Sequence, residues 1–80
     1  MITIEVFSGE CSHCEQMAEN SRAALAELDL HGEVIVVTDQ EEMDERGVTV
    51  TPALVINGEL ECMGRVPEPT EIMAWLQEIE

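Results

Sequence analysis

The sequence predicts an α/β domain: a mixed sheet of four strands with helices on its faces, in the order β-α-β-α-β-β-α. Three observations carry that expectation. The alternating segment Met1 to Phe7 (MITIEVF) is followed by apolar residues at helical spacing. The β-branched run Glu33 to Thr38 (EVIVVT) comes next, and later an Asn57-Gly58 pair separates two short apolar segments. Strand, helix and strand in succession imply a parallel crossover, to which the later turn adds a hairpin.

Taken in order, Thr3 to Phe7 has strand character and runs into Ser8-Gly9-Glu10, a turn-like segment. Beyond it Cys14, Met17, Ala18, Ser21, Leu25 and Leu28 recur at helical spacing, with Glu15, Glu19, Arg22 and Glu27 largely on other faces, which predicts a helix ending near His31-Gly32. Glu33 to Thr38 is almost continuously apolar, as expected of an internal strand covered on both faces. Gln40 to Arg46 predicts a short polar helix stopped by Gly47. Ala53 to Ile56 and Leu60 to Met63 flank Asn57-Gly58, whose readiness for positive φ suits a type I′ hairpin turn. The last helix begins around Glu68-Pro69, where proline loses no helical hydrogen bond and Glu71 favours the positive helix end. Its buried stripe is expected to be Ile72, Trp75, Leu76 and Ile79.

Eighty residues suit a single domain spanning 1–80, with apolar residues at 45% and charged ones at 26%, a globular composition. Eighteen acidic residues face three arginines (Arg22, Arg46, Arg65) and no lysine, for a formal net charge of -15. That charge argues against nucleic-acid binding. Molar salt, where the Debye length is about 3 Å, would screen the self-repulsion of such a surface, so a salt-rich environment would suit it. No apolar run is long enough to span a bilayer, and the opening segment lacks a basic, signal-like start, so a cytoplasmic protein without a membrane partner is expected.

Three cysteines are too few, and odd in number, for a disulfide framework. Two of them, Cys11 and Cys14, fall where the first strand gives way to the first helix. A cysteine at that junction lies near uncapped amides that favour its thiolate, and a second cysteine one turn further in is placed to attack a mixed disulfide formed at the first. Two residues of separation also occur in metal sites, but the placement after a strand in an α/β pattern is more specific to a dithiol.

With Cys11-Ser12-His13-Cys14, Thr51-Pro52, Asn57-Gly58 and Gly64-Arg65-Val66-Pro67 in these places, nearly the whole chain resembles the thioredoxin superfamily, in particular its small, glutaredoxin-sized members from archaea and bacteria. The resemblance implies a thioredoxin-like fold and a thiol:disulfide oxidoreductase, with Cys11 as nucleophile and Cys14 as resolving thiol. It implies a cis peptide bond before Pro52, beside the dithiol, leaving the backbone of Thr51 free to pair with an extended substrate segment. It implies disulfide-containing protein substrates, an electron donor of the thioredoxin reductase type, no cofactor and a monomer. The chain departs from the familiar thioredoxin motif in having Glu10 before the pair and Ser12-His13 within it. Protonated His13 would favour the thiolate, whereas Glu10 and Glu15 oppose it. An exposed carboxylate at about 8 Å contributes ~0.5 kcal/mol, comparable to the ~0.3–1 kcal/mol of an exposed helix end. Oxidising and reducing members differ by roughly 150 mV, about 7 kcal/mol, so the motif alone does not set the potential; the expected cytoplasmic setting favours reduction.

The remaining candidates have plainer readings. Cys62 is expected to be a small buried hydrophobe on the same strand face as Leu60. His31 is expected to be a helix-end residue, Trp75 and Met17 to be core, and Arg65 to pair with the acidic surface. The acidic run Gln40 to Glu45 lacks the ligand pattern of a calcium loop. Glutathione as partner is disfavoured because few cations could hold its carboxylates. A soft-metal module holding copper or zinc through Cys11 and Cys14, with His13 or Cys62 from another subunit, is the alternative reading, although no second cysteine pair closes a four-ligand zinc site.

Overall fold

A computed structural model of the chain describes residues 2–8 and 11–79, with the side chains of residues 11–14 outside the described part. The elements are β1 (Ile2–Phe7), α1 (Cys11–Glu27), β2 (Gly32–Val37), α2 (Gln40–Glu45), β3 (Ala53–Ile56), β4 (Glu59–Met63) and α3 (Pro69–Glu78). They form one sheet in the order β2-β1-β3-β4, with β1 parallel to β2 and antiparallel to β3. This is a thioredoxin-like α/β arrangement.

Alternation along β1 and β3 divides the core in two. Ile4, Val6, Leu54 and Ile56 face α1 and α3, where they pack with Met17, Ala24, Leu25, Ile72 and Leu76. Phe7, Ala53 and Val55 point the other way, against Met43 of α2 and Val48. Removing each large side chain of this set from water contributes about 1.5–3 kcal/mol. The second layer is thin, since α2 is one short helix, and Glu5 occupies the same face as Phe7. Its carboxylate is met by Arg46 at 3.0 Å. Asp39, which the sequence analysis did not single out, caps α2 by accepting from the Glu41 amide. Gly47 follows the helix at a φ of +76°, the stop that the sequence predicts.

Four expectations are corrected. β2 is an edge strand, and Ile35 and Val36 are exposed; the internal strands are β1 and β3. Its apolarity reflects β-branched residues suited to parallel pairing rather than cover on both faces. α1 ends at Glu27, and the chain turns through Asp29 at a φ of +54°, so His31-Gly32 is not the helix stop. Gly32 instead opens β2, where a β-carbon would lie 2.9 Å from the Ile2 carbonyl oxygen and 3.0 Å from Leu25. Cys62 and Leu60 lie on opposite faces because the β3–β4 register shifts: Leu54 faces Cys62 while Val55 faces Leu60, leaving Glu61 as the extra residue of a bulge. In α3 only Ile72 and Leu76 are buried, Trp75 is half-buried rather than core, and Ile79 lies past the helix, exposed.

Asn57 joins the hairpin to the sheet. At a φ of +50° it makes the turn with Gly58, its side chain accepts from the Thr3 amide at 2.9 Å, and its own amide donates to the Thr3 carbonyl at 2.8 Å. Asn57→Ala is therefore expected to cost about 1–2 kcal/mol in denaturant unfolding, while Asn57→Gly, which keeps the backbone angle and loses only the side-chain bond, costs about 1 kcal/mol or less.

Candidate functional site

The ladder registers align four strand ends in one row. Phe7, the last residue of β1, faces Val37, the last of β2, and Ala53, the first of β3; Ala53 in turn faces Met63, the last of β4. This end of the sheet therefore carries the β1–α1 junction, the start of α2, the segment before β3 and the loop after β4. Buried Ser8 continues β1, donating its amide to the Val37 carbonyl at 3.2 Å.

Cys11 is the first residue of α1, and Cys14 stands one turn further along the same helix. The helix is 17 residues long with no acidic side chain in its first turn, so its N-terminal amides present roughly half a positive charge. Ser12 and His13 fall between the two cysteines. The expected tuning of the pair by His13, and the turn through Gly9 and Glu10, lie outside the described residues.

Pro52 is buried directly before β3, so it adjoins the Phe7–Ala53 pair at the end of β1. The Thr51–Pro52 peptide bond is cis, Thr51 is exposed, and the Pro52 carbonyl accepts from the Gly64 amide at 2.8 Å. Around this point stand side chains that the sequence reading passed over. Val50 is 50% exposed and Met63 41% exposed; the Thr49 hydroxyl lies 3.8 Å from the Met63 sulfur, and a β-carbon on Gly64 would touch Val50. The alternation Val48-Thr49-Val50-Thr51 before Pro52, of which only Val48 is buried, was the available signal. Asn20 was also passed over: it donates to the Pro67 carbonyl at 2.9 Å and ties α1 to the loop before α3.

That loop carries Arg65, whose guanidinium makes a two-pronged contact with Glu71, at 3.1 and 2.6 Å. The hydrogen bonds from Arg65 hold the Glu71 carboxyl below the ordinary glutamate value of 4.5. The Glu71 carboxylate also receives the Glu68 amide at 3.5 Å, so one residue caps α3 and occupies the arginine. Cys62 is buried, its thiol lies 3.6 Å from the Arg65 carbonyl, and burial pushes it above the ordinary thiol value. Its burial is that of the small buried hydrophobe expected from the sequence. Among the described residues no group of three or more His, Cys, Asp or Glu side chains is gathered for a metal.

A four-stranded mixed sheet with α1 and α3 on one face, α2 on the other and a proline-led β3 beside the β1–α1 junction is the thioredoxin-like class of fold. Residues 2–77 match the thioredoxin domain family, to which the chain belongs. It is 33% identical over 72 residues to a thioredoxin of Methanothermobacter thermautotrophicus, covering 90% of this chain and 94% of that protein. It is 35% identical over 72 residues to a thioredoxin of Methanocaldococcus jannaschii, covering 90% and 83% respectively. Membership supports thiol–disulfide exchange as the general class of chemistry. Among the described residues no helix is long and apolar enough to cross a membrane.

Two expectations follow. In the reduced native protein at neutral pH, iodoacetamide should leave Cys62 unlabelled until denaturant is added, as read by peptide mass; native labelling at the rate of a free thiol would contradict its burial. The stability difference between wild type and Arg65→Gln should be fully present above the unfolded carboxylate value, because the Glu71 carboxyl is depressed in the fold. As pH falls below about 4.5 and through the folded value, that difference should close, measured by urea unfolding at successive pH values.

Proposed function

We propose that the chain reduces disulfides in protein substrates, with Cys11 as nucleophile and Cys14 as resolving thiol. The observation that carries this reading is the placement of positions 11 and 14 in the opening turn of α1, at the sheet end where Pro52 precedes β3. A cysteine at the start of a helix has its thiolate favoured by amides that no carbonyl accepts from. Its sulfur attacks one sulfur of the substrate disulfide, forming a mixed disulfide and expelling the other as a thiolate. The Cys14 thiolate then attacks the Cys11 sulfur, releasing the second substrate thiol and leaving a Cys11–Cys14 disulfide. Two electrons and two protons pass from protein to substrate, and a reductase of the thioredoxin reductase type returns them.

Substrate docking uses the exposed backbone at Thr51, where an extended segment adds as a strand with little demand on its sequence. His13, when protonated, stabilises the Cys11 thiolate, and Ser12 lies within the same motif. The protein works as a monomer in the cytoplasm, where reductants keep the dithiol charged.

Cys14→Ser should trap a covalent complex with a disulfide substrate that a thiol releases, whereas Cys11→Ser should trap none, as read on non-reducing gels and by mass. Equal trapping by both variants, or by neither, would sink the assignment of roles.

A further inference from the structure

The surface beside Pro52 is apolar and uncharged, formed by Val50, Thr51, Met63 and Gly64, with Val50 and Met63 exposed. Carboxylates are exposed on the elements that begin at this end of the sheet. Glu15 is exposed on α1, while Asp39, Glu41 and Glu42 are exposed at the start of α2, which follows the β2 end that receives the Ser8 amide. Among the described side chains, the arginines do not offset them. Arg46 is held by Glu5 at 3.0 Å and lies 4.0 Å from Glu42, and Arg22 stands about 16 Å along α1 from position 11. Arg65, one residue beyond the Gly64 contact to Pro52, is cancelled by its two bonds to Glu71.

Resting on the exchange reading above, we propose that this site takes disulfides carried by positively charged segments and discriminates against anionic ones, with Glu71 setting the selection by neutralising Arg65. An apolar platform on a surface of one net charge raises the local concentration of the opposite charge, and wrong-sign partners are repelled. Glu71 is thus a residue that determines specificity without touching the reacting sulfurs. The reaction is the same for each substrate: two protein thiols and one disulfide become one protein disulfide and two thiols.

The test compares the reduced protein's rates with cystamine, a dication, with neutral bis(2-hydroxyethyl) disulfide, and with oxidised glutathione, an anion at neutral pH. Each is followed by alkylation and mass and divided by the rate of 1-thioglycerol, a neutral thiol, with the same disulfide. At 0.1 M KCl the normalised cystamine rate should exceed that of oxidised glutathione by about tenfold, and at 1 M KCl the ratio should collapse toward one. At one salt where circular dichroism shows the fold intact, Glu71→Gln should raise the normalised glutathione rate about two- to threefold and lower the cystamine rate, while the double variant Arg65→Gln/Glu71→Gln returns to the wild-type ratio. Equal normalised rates at 0.1 M, or an unchanged ratio in Glu71→Gln, would overturn the selection while leaving exchange standing. Failure to reduce even the neutral disulfide would overturn the exchange reading and this inference together.

Discussion

The register of β1 is the constraint on which the rest depends. It is hydrogen-bonded on both sides, parallel to β2 and antiparallel to β3, and its last residue meets the last of one neighbour and the first of the other. A slip of one residue would turn Ile4 and Val6 away from α1 and α3 and carry Glu5 into that core. The register also sets the site, because the first residue of α1 and the proline before β3 are each counted from Phe7 or its partner Ala53. Core packing and placement of the cysteine pair are thus one requirement.

The unequal cover on the two faces explains how a chain of this size holds that register. One face is roofed by α1 and α3, whose contact is fixed further by Asn20 reaching the Pro67 carbonyl. The other has only α2, so a charged residue is tolerated at Glu5, with Arg46 from the end of that same helix meeting it. Because Arg46 is exposed, the pair contributes little energy in water, but it gives Glu5 a reason to remain on that face. The same shortness of α2 helps leave Ile35 of β2 in contact with solvent.

Much of this was legible in the residues. Asn57-Gly58 reads directly as the hairpin turn, Gly47 as the end of α2 and Pro69 as the start of α3, because each residue type answers a local backbone requirement. What escaped was decided at a distance. Nothing in EVIVVT tells an edge from an interior, since strand order is set by β3 inserting beside β1. The bulge at Glu61 breaks an alternation that local pattern cannot date, and so sends Cys62 to one face and Leu60 to the other. Gly32 looked like a helix stop, yet its requirement is the nearness of Ile2 and Leu25, from far along the chain. At the candidate site, Cys11 and Cys14 stood out by type and spacing, and Thr51 and Pro52 through the family resemblance. Val50 and Asn20 matter only through neighbours that folding supplies.

Charge acts on this site over two distances, and the two are separable. The amides of the first turn of α1 act at close range on a group at the helix start, and that influence fades within a turn. The acidic surface acts from farther away, through water and dissolved ions, so each exposed carboxylate is weakened as salt rises. A group at the start of α1 feels the nearby amides and any adjacent carboxylate, whereas an encounter with a partner depends on the sum of many distant charges. Raising salt weakens the second far more than the first. In the proposed function, a chain with a net charge of -15 would keep a reactive sulfur while leaving the choice of partner to its surface. The Glu71 contact at 2.6 Å, which occupies Arg65, is the described feature that this selection rests on.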